Sequence, residues 1–101
     1  MTAVEPRFDG LIHAPLRLRI CGLLRPVDAL AFRTLSETLD LPPTQLSKHL
    51  RALSDAGYVT VTKTPSPDRG DARRVAWVGL TRAGRRAFDQ HAAMLRRITD
   101  G

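Results

Sequence analysis

A chain of 101 residues, 43% hydrophobic and 26% charged, has the make-up of one globular domain that buries a core without disulfide or metal help. Its net charge of +6 and pI near 11.0 point to a polyanionic partner, nucleic acid before a membrane surface. The single cysteine, Cys21, excludes an internal disulfide framework. No apolar run approaches the roughly 18 residues of a membrane span. The opening "MTAVEPRFDG" lacks the layout of a signal peptide, so the cytoplasm is the expected compartment.

Residues 1–9 show no apolar period and read as a flexible N-terminal tail, with 10–101 as a single domain. "HAPLRLRICGLLRP" predicts a helix. Pro15 suits its first position, Leu16, Ile20, Leu23 and Leu24 form its buried face, and Pro26 ends it. "DALAF" is too short for the pattern to assign and allows one brief strand. "RTLSETLD" carries Leu35 and Leu39 on one edge of a short helix, which "LPP" breaks. Another helix begins near Pro43, with Leu46, Leu50 and Leu53 at i, i+4 and i+7, and Gly57 closes it. Beyond Gly57 the period becomes two. "YVTVTKT" and "RRVAWVGL" alternate as strands, Val59 with Val61 on one face and Ala76, Val78 and Leu80 on another. The polar turn "PSPDRGDA" joins them into a hairpin with a long charged tip. Thr81 is placed to cap a final helix whose apolar stripe is Ala87, Phe88, His91, Leu95 and Ile98.

The helix from Pro43 has a second stripe. At about 100° per residue, Thr44, Lys48, Arg51 and Asp55 lie opposite the leucines, with Gln45 and Ser47 on the flanks. A solvated face would account for such a stripe on any isolated amphipathic helix. Here a preceding helix joins through the short "DLPPT" turn, as in a helix-turn-helix pair. The second helix of such a pair can enter a major groove, where Lys and Arg reach guanine and Gln reaches adenine. Lys63, Arg69, Arg73, Arg74, Arg82, Arg85 and Arg86 add a second basic stretch, seven cations against two acids. Arginine at a hairpin tip can contact phosphate or a minor groove.

The run "RLRICGLL … LSETLDLPPTQLSKHLRALSDAGYVTVTKT … RRVAWVGLTRAGR" resembles the winged helix-turn-helix transcriptional regulators of the MarR and ArsR type, over roughly residues 11–98. The resemblance implies a mainly α fold with a small β-hairpin, double-stranded DNA as partner, a homodimer and transcriptional control, with repression expected. By position it places base contact on Thr44, Gln45, Ser47, Lys48 and Arg51, and wing contact on Lys63, Arg69, Arg73 and Arg74. The wide stripe of the final helix places a dimer interface on Phe88, His91, Leu95 and Ile98. One departure is that Pro42 and Pro43 stand where such regulators usually carry a capping Ser or Thr, so the cap falls to Thr44 or to water.

Other chemistry finds little support. There is no Gly-rich phosphate loop, nucleophile elbow or carboxylate pair, so no catalytic residue and no cofactor is expected. His13, His49 and His91 are far apart in sequence and lack the spacing of metal ligands. His49 reads as a boundary residue, with a phosphate contact as second choice. Cys21 reads as a small core residue. Trp77 and Phe88 read as packing residues, with the lining of a small-molecule effector pocket as the alternative. The rival class is a winged helix that binds protein or RNA.

Overall fold

The computed structural model describes residues 4–65 and 74–101. Helices α1 (Gly10–His13), α2 (Pro15–Leu24), α3 (Phe32–Leu39), α4 (Pro43–Asp55) and α5 (Arg82–Asp100) surround strands β1 (Leu30–Ala31), β2 (Val59–Pro65) and β3 (Arg74–Leu80). The strands form one antiparallel sheet in the order β1-β3-β2. Leu30 faces Val78 across β1 and β3, and Val59 faces Leu80 across the hairpin.

The expected helices form where the apolar periods place them. Pro15 stands at the start of α2, where its missing N–H leaves no bond unmade. Its buried face is Ile20, Cys21 and Leu24, turned slightly from the expected one, and Leu16 and Leu23 are only partly covered. The helix α1 was not visible in the pattern. Asp9 creates it, its Oδ1 accepting from the amides of Leu11 and Ile12 at 3.0 and 3.1 Å. The end of the supposed tail is therefore tied down. Arg7 N–H also donates to the Gln90 carbonyl of α5 at 3.0 Å.

The core gathers one side of every helix over one face of the sheet. Ile12, Ile20, Leu24, Leu35, Leu46, Leu53 and Val78 are fully buried, joined by Leu39, Leu50 and Val59. Full burial of each such side chain contributes about 1.5–3 kcal/mol. Val59 and Val61 share a face but not an environment. Val59 is buried and Val61 is 42% exposed, because Val61 lines an open groove between β2 and α4.

Two local devices set how the helices meet. Asp40 ends α3 in the left-handed conformation, φ 52°. Ser36 Oγ then donates to the Leu41 carbonyl at 2.6 Å while Leu41 N–H donates to the Ser36 carbonyl. Leu41 is buried, so the turn between α3 and α4 is anchored at both backbone and side chain. At the other end of α4, Gly57 turns the chain with φ 80°, a value glycine adopts without Cβ strain. Thr81 caps α5 by accepting from Gly84 N–H at 3.0 Å and donates its hydroxyl to the Gly57 carbonyl at 2.6 Å. The first turn of α5 rests so closely on Tyr58 that any Cβ at Gly84 would collide with the Tyr58 carbonyl.

Candidate nucleic-acid interface

α4 is the second helix of the α3–α4 pair, and its buried residues are Leu46, Leu50 and Leu53. That seating turns Thr44, Gln45, Ser47, Lys48 and Arg51 to solvent together. All five expected contact residues thus share one exposed face. Among the described residues, the ion pairs are Arg25–Asp89 and Arg33–Glu37. Lys48 and Arg51 enter neither, although Asp55 follows Arg51 by one helical turn. A face stabilised by its own i,i+4 pairs would have used that carboxylate. The N-terminus of α4 has no side-chain cap. Thr44 does not supply the expected one, and Gln45 and Leu46 N–H share the Pro42 carbonyl at 3.0 and 3.1 Å.

A groove of about 370 Å³ opens between α4 and β2, lined by Phe32, Ser47, Leu50, Arg51, Ser54, Asp55 and Val61. Its floor is apolar and its rim carries Ser47, Arg51 and Ser54, which stand at i, i+4 and i+7 on one helix face. Ser54 was not singled out in the sequence, although the same helical spacing would have found it. Phe32 and Val61 come from other elements, so no local spacing connects them to α4.

The basic stretch beyond Thr62 divides into three parts. Lys63 is exposed on β2. Arg74 opens β3 opposite Pro65, but its side chain lies outside the described residues, as do Arg69 and Arg73 entirely. Arg82, Arg85 and Arg86 belong to α5 rather than to the hairpin. Arg85 is structural, donating to the carbonyls of Arg25 and Val27 at 2.8 and 2.7 Å. It holds α5 against the C-terminal end of α2, where carbonyls lack helical partners. The counted stretch therefore does not act as one surface. Trp77 is part-exposed on β3, its indole N–H donating to Thr64 Oγ1 at 3.1 Å.

The expected interface residues of α5 have distinct environments. Phe88 is partly buried against the core, with its ring tip 3.9 Å from the position of a Cβ on Gly22. His91, expected at a dimer interface, is fully buried within its own chain. Leu95 is half-buried, and Ile98 is 59% exposed. His49 is a boundary residue as expected, its Nδ1 lying 3.4 Å from Arg17 Nη1, and burial and that guanidinium lower its pKa. Burial and the nearby Asp9 carboxylate push the Cys21 thiol up to about 11, which keeps it neutral and unreactive in the core.

Comparison with known proteins bears on this geometry. A family model described as a winged helix DNA-binding domain matches residues 16–99. No curated protein sequence matches the chain. Among solved structures, it is similar to a transcriptional regulator homologue from Pyrococcus horikoshii OT3, at 27% identity and TM-score 0.82 over 90% of this chain and 86% of that one. It is also similar to NadR bound to 4-hydroxyphenylacetate, at 24% identity and TM-score 0.70, over 89% of this chain and 60% of that one. YusO of Bacillus subtilis shares the fold at 20% identity and TM-score 0.69, over 85% of this chain and 57% of that one. With its helix-turn-helix pair, antiparallel hairpin and capped final helix, this chain belongs to the winged helix DNA-binding domain family.

Proposed function

We propose that the protein is a sequence-specific regulator of transcription, acting as a repressor, that binds double-stranded DNA with α4 in the major groove and the β2–β3 hairpin on the minor groove or backbone. The observation that carries this reading is the pair Lys48 and Arg51, exposed, without an ion partner among the described residues, on the outer face of the second helix of a helix-turn-helix. Arg and Lys there meet guanine O6 and N7, and Thr44, Gln45 and Ser47 add shorter polar reach. The uncapped N-terminus of α4 presents a positive dipole end suited to a phosphate. Occupancy of DNA suffices for repression.

A homodimer belongs to the same proposal. Ile98 is exposed beyond the core, on the stripe that His91 and Leu95 share, and Phe8 lies beside that stripe against His91 with ring centroids 4.9 Å apart. Two copies joined there would present two recognition helices to a near-palindromic site. A small-molecule effector extends the proposal by analogy with the 4-hydroxyphenylacetate of NadR.

Selection of bound sequences from random duplex DNA tests the reading. A recovered motif with two related half-sites is the expected result. Recovery of no motif, or equal binding of duplex RNA and DNA, would overturn it in favour of a protein- or RNA-binding role.

A further inference from the structure

His13 and His91, far apart in sequence, meet in the fold. His13 Nδ1 lies 3.2 Å from His91 Nε2, and the amide of Asp9 donates to His91 Nδ1 at 3.0 Å. That amide settles the tautomers. A neutral imidazole has one N–H and one lone-pair nitrogen. Since Nδ1 of His91 accepts, its Nε2 carries the hydrogen and donates to Nδ1 of His13. His13 then keeps its own hydrogen on Nε2. The same separation would suit two ligands of one metal ion, but a protonated Nε2 on His91 has no lone pair to offer.

Both rings therefore have their basic nitrogen in use. A proton on His13 Nδ1 would face the N–H of His91, donor against donor at 3.2 Å. A proton on His91 Nδ1 would face the N–H of Asp9. Either event removes a hydrogen bond and introduces charge beside a fully buried ring. We propose that the His13–His91 pair is a proton-operated latch, fastening the N-terminal segment Arg7–His13 onto α5 at neutral pH and releasing it in mild acid. This device stands apart from the DNA-binding reading and does not depend on it.

The surroundings favour the neutral state. The ring of Phe8 packs on both imidazoles, with centroids 4.8 Å from His13 and 4.9 Å from His91, and adds no charge beside the bond. On α5 itself, the residues one turn from His91 are Ala87, Phe88, Met94 and Leu95, none charged. From the N-terminal segment, Asp9 is the one carboxylate near the pair, and it is occupied. Its Oδ1 accepts from two amides of α1, and its Oδ2 accepts from the Tyr58 hydroxyl at 2.6 Å. From α2, Cys21 is a neutral thiol. Arg7 acts on Tyr58 from the same side. Burial first and His13 second lower the pKa of His91, and the attraction of Asp9 does not reverse them.

The direction follows from linkage. The docked segment binds fewer protons than the released one, so docking is complete above the ordinary histidine value of about 6.5 and is lost as pH falls below it. Asp9 stays ionised in that window, because its own pKa is lowered from 3.8. The cap of α1 is not what fails.

Nuclear magnetic resonance of the full, isotope-labelled chain tests the latch. Ring nitrogen spectra at neutral pH are expected to show both histidines as Nε2–H tautomers. On titration towards pH 5, exchange protection of the Asp9 amide should vanish in step with protonation of His91. In His13→Asn, the side-chain oxygen stands where Nδ1 stood, accepts the same bond and takes up no proton. The repulsion of His13 that lowers the pKa of His91 is then gone, so release should move to higher pH. A His91 Nδ1–H tautomer, an Asp9 amide protected throughout, or an unchanged midpoint in His13→Asn would each overturn the proposal. The first two outcomes are read on the native chain, so the test holds even if the variant folds poorly.

Discussion

Arg51 and Arg85 illustrate at the residue scale how the same side chain serves opposite ends. Arg85 satisfies the carbonyls of Arg25 and Val27, whereas Arg51 faces the groove beside α4 with no ion partner among the described residues. Replacing Lys48 or Arg51 with alanine is expected to cost about 1–3 kcal/mol of specific DNA binding and to relax sequence preference at one position. Binding isotherms on a selected site and on scrambled duplex check this, and unchanged affinity in the double variant would remove α4 from the contact surface. Asp9 is the residue whose loss should harm the fold most among the polar ones. Its carboxyl caps α1 and accepts from Tyr58, so Asp9→Ala should lower stability by about 1–3 kcal/mol in denaturant titrations. Burial pushes the Asp9 carboxyl up, but the Tyr58 hydroxyl and the Ile12 and Leu11 amides outweigh it and bring its pKa down. While the segment stays docked, the stabilisation due to the ionised carboxylate is therefore present above the ordinary carboxylate range and lost as pH falls through the lowered value.

Helix α5 and the hairpin carry the predictions at the element scale. The start of α5 is placed by Gly84 against the Tyr58 carbonyl and by Thr81 against the Gly57 carbonyl. Gly84→Ala must push two backbones apart, and a loss at the upper end of about 1–3 kcal/mol is expected. Gly10→Ala is the matched control, since a Cβ there meets nothing within 4 Å. Thermal melts of the two variants should separate clearly, and equal melts would show that the α5 contact yields easily. For the hairpin, Arg73→Ala or Arg74→Ala should weaken binding to all sequences alike and reduce the salt slope by about one unit each. A loss confined to one sequence would mean that the hairpin reads bases instead.

Assembly belongs to the scale of the whole molecule. Its proposed surface reduces to Leu95 and Ile98, because His91 is enclosed and Phe88 packs inward. Sedimentation at micromolar concentration should report a dimer, and Leu95→Glu should report a monomer that still melts cooperatively. The selected operator should then carry half-sites about 34 Å apart, one turn of DNA. A wild-type monomer bound to an unrepeated site would place the interface elsewhere or nowhere.

Much of this molecule is determined by the sequence on its own. Periodicity located α2, α3, α4 and the hairpin, since a leucine stripe of period 3.6 and a valine alternation of period two are each local statements about which face is dry. The same rule separated Thr44, Lys48 and Arg51 from Leu46 and Leu50, because both sets ride on one helix and their angles need no tertiary knowledge. Thr81 was legible as a cap for the same reason. The tertiary structure alone decided what depends on two distant segments meeting. Arg85 counted with Arg74 in one basic stretch until α5 turned it onto the carbonyls of Arg25 and Val27. Gly84 owes its place to Tyr58, whose carbonyl leaves no room for a Cβ and lies on another element. Asp9, His13, Tyr58 and His91 lie within one cluster although up to 82 positions separate their partners, and no spacing rule reaches across that distance. Burial of His91 is a property of the closed fold, which fixes its tautomer through a backbone amide from the opposite end of the chain.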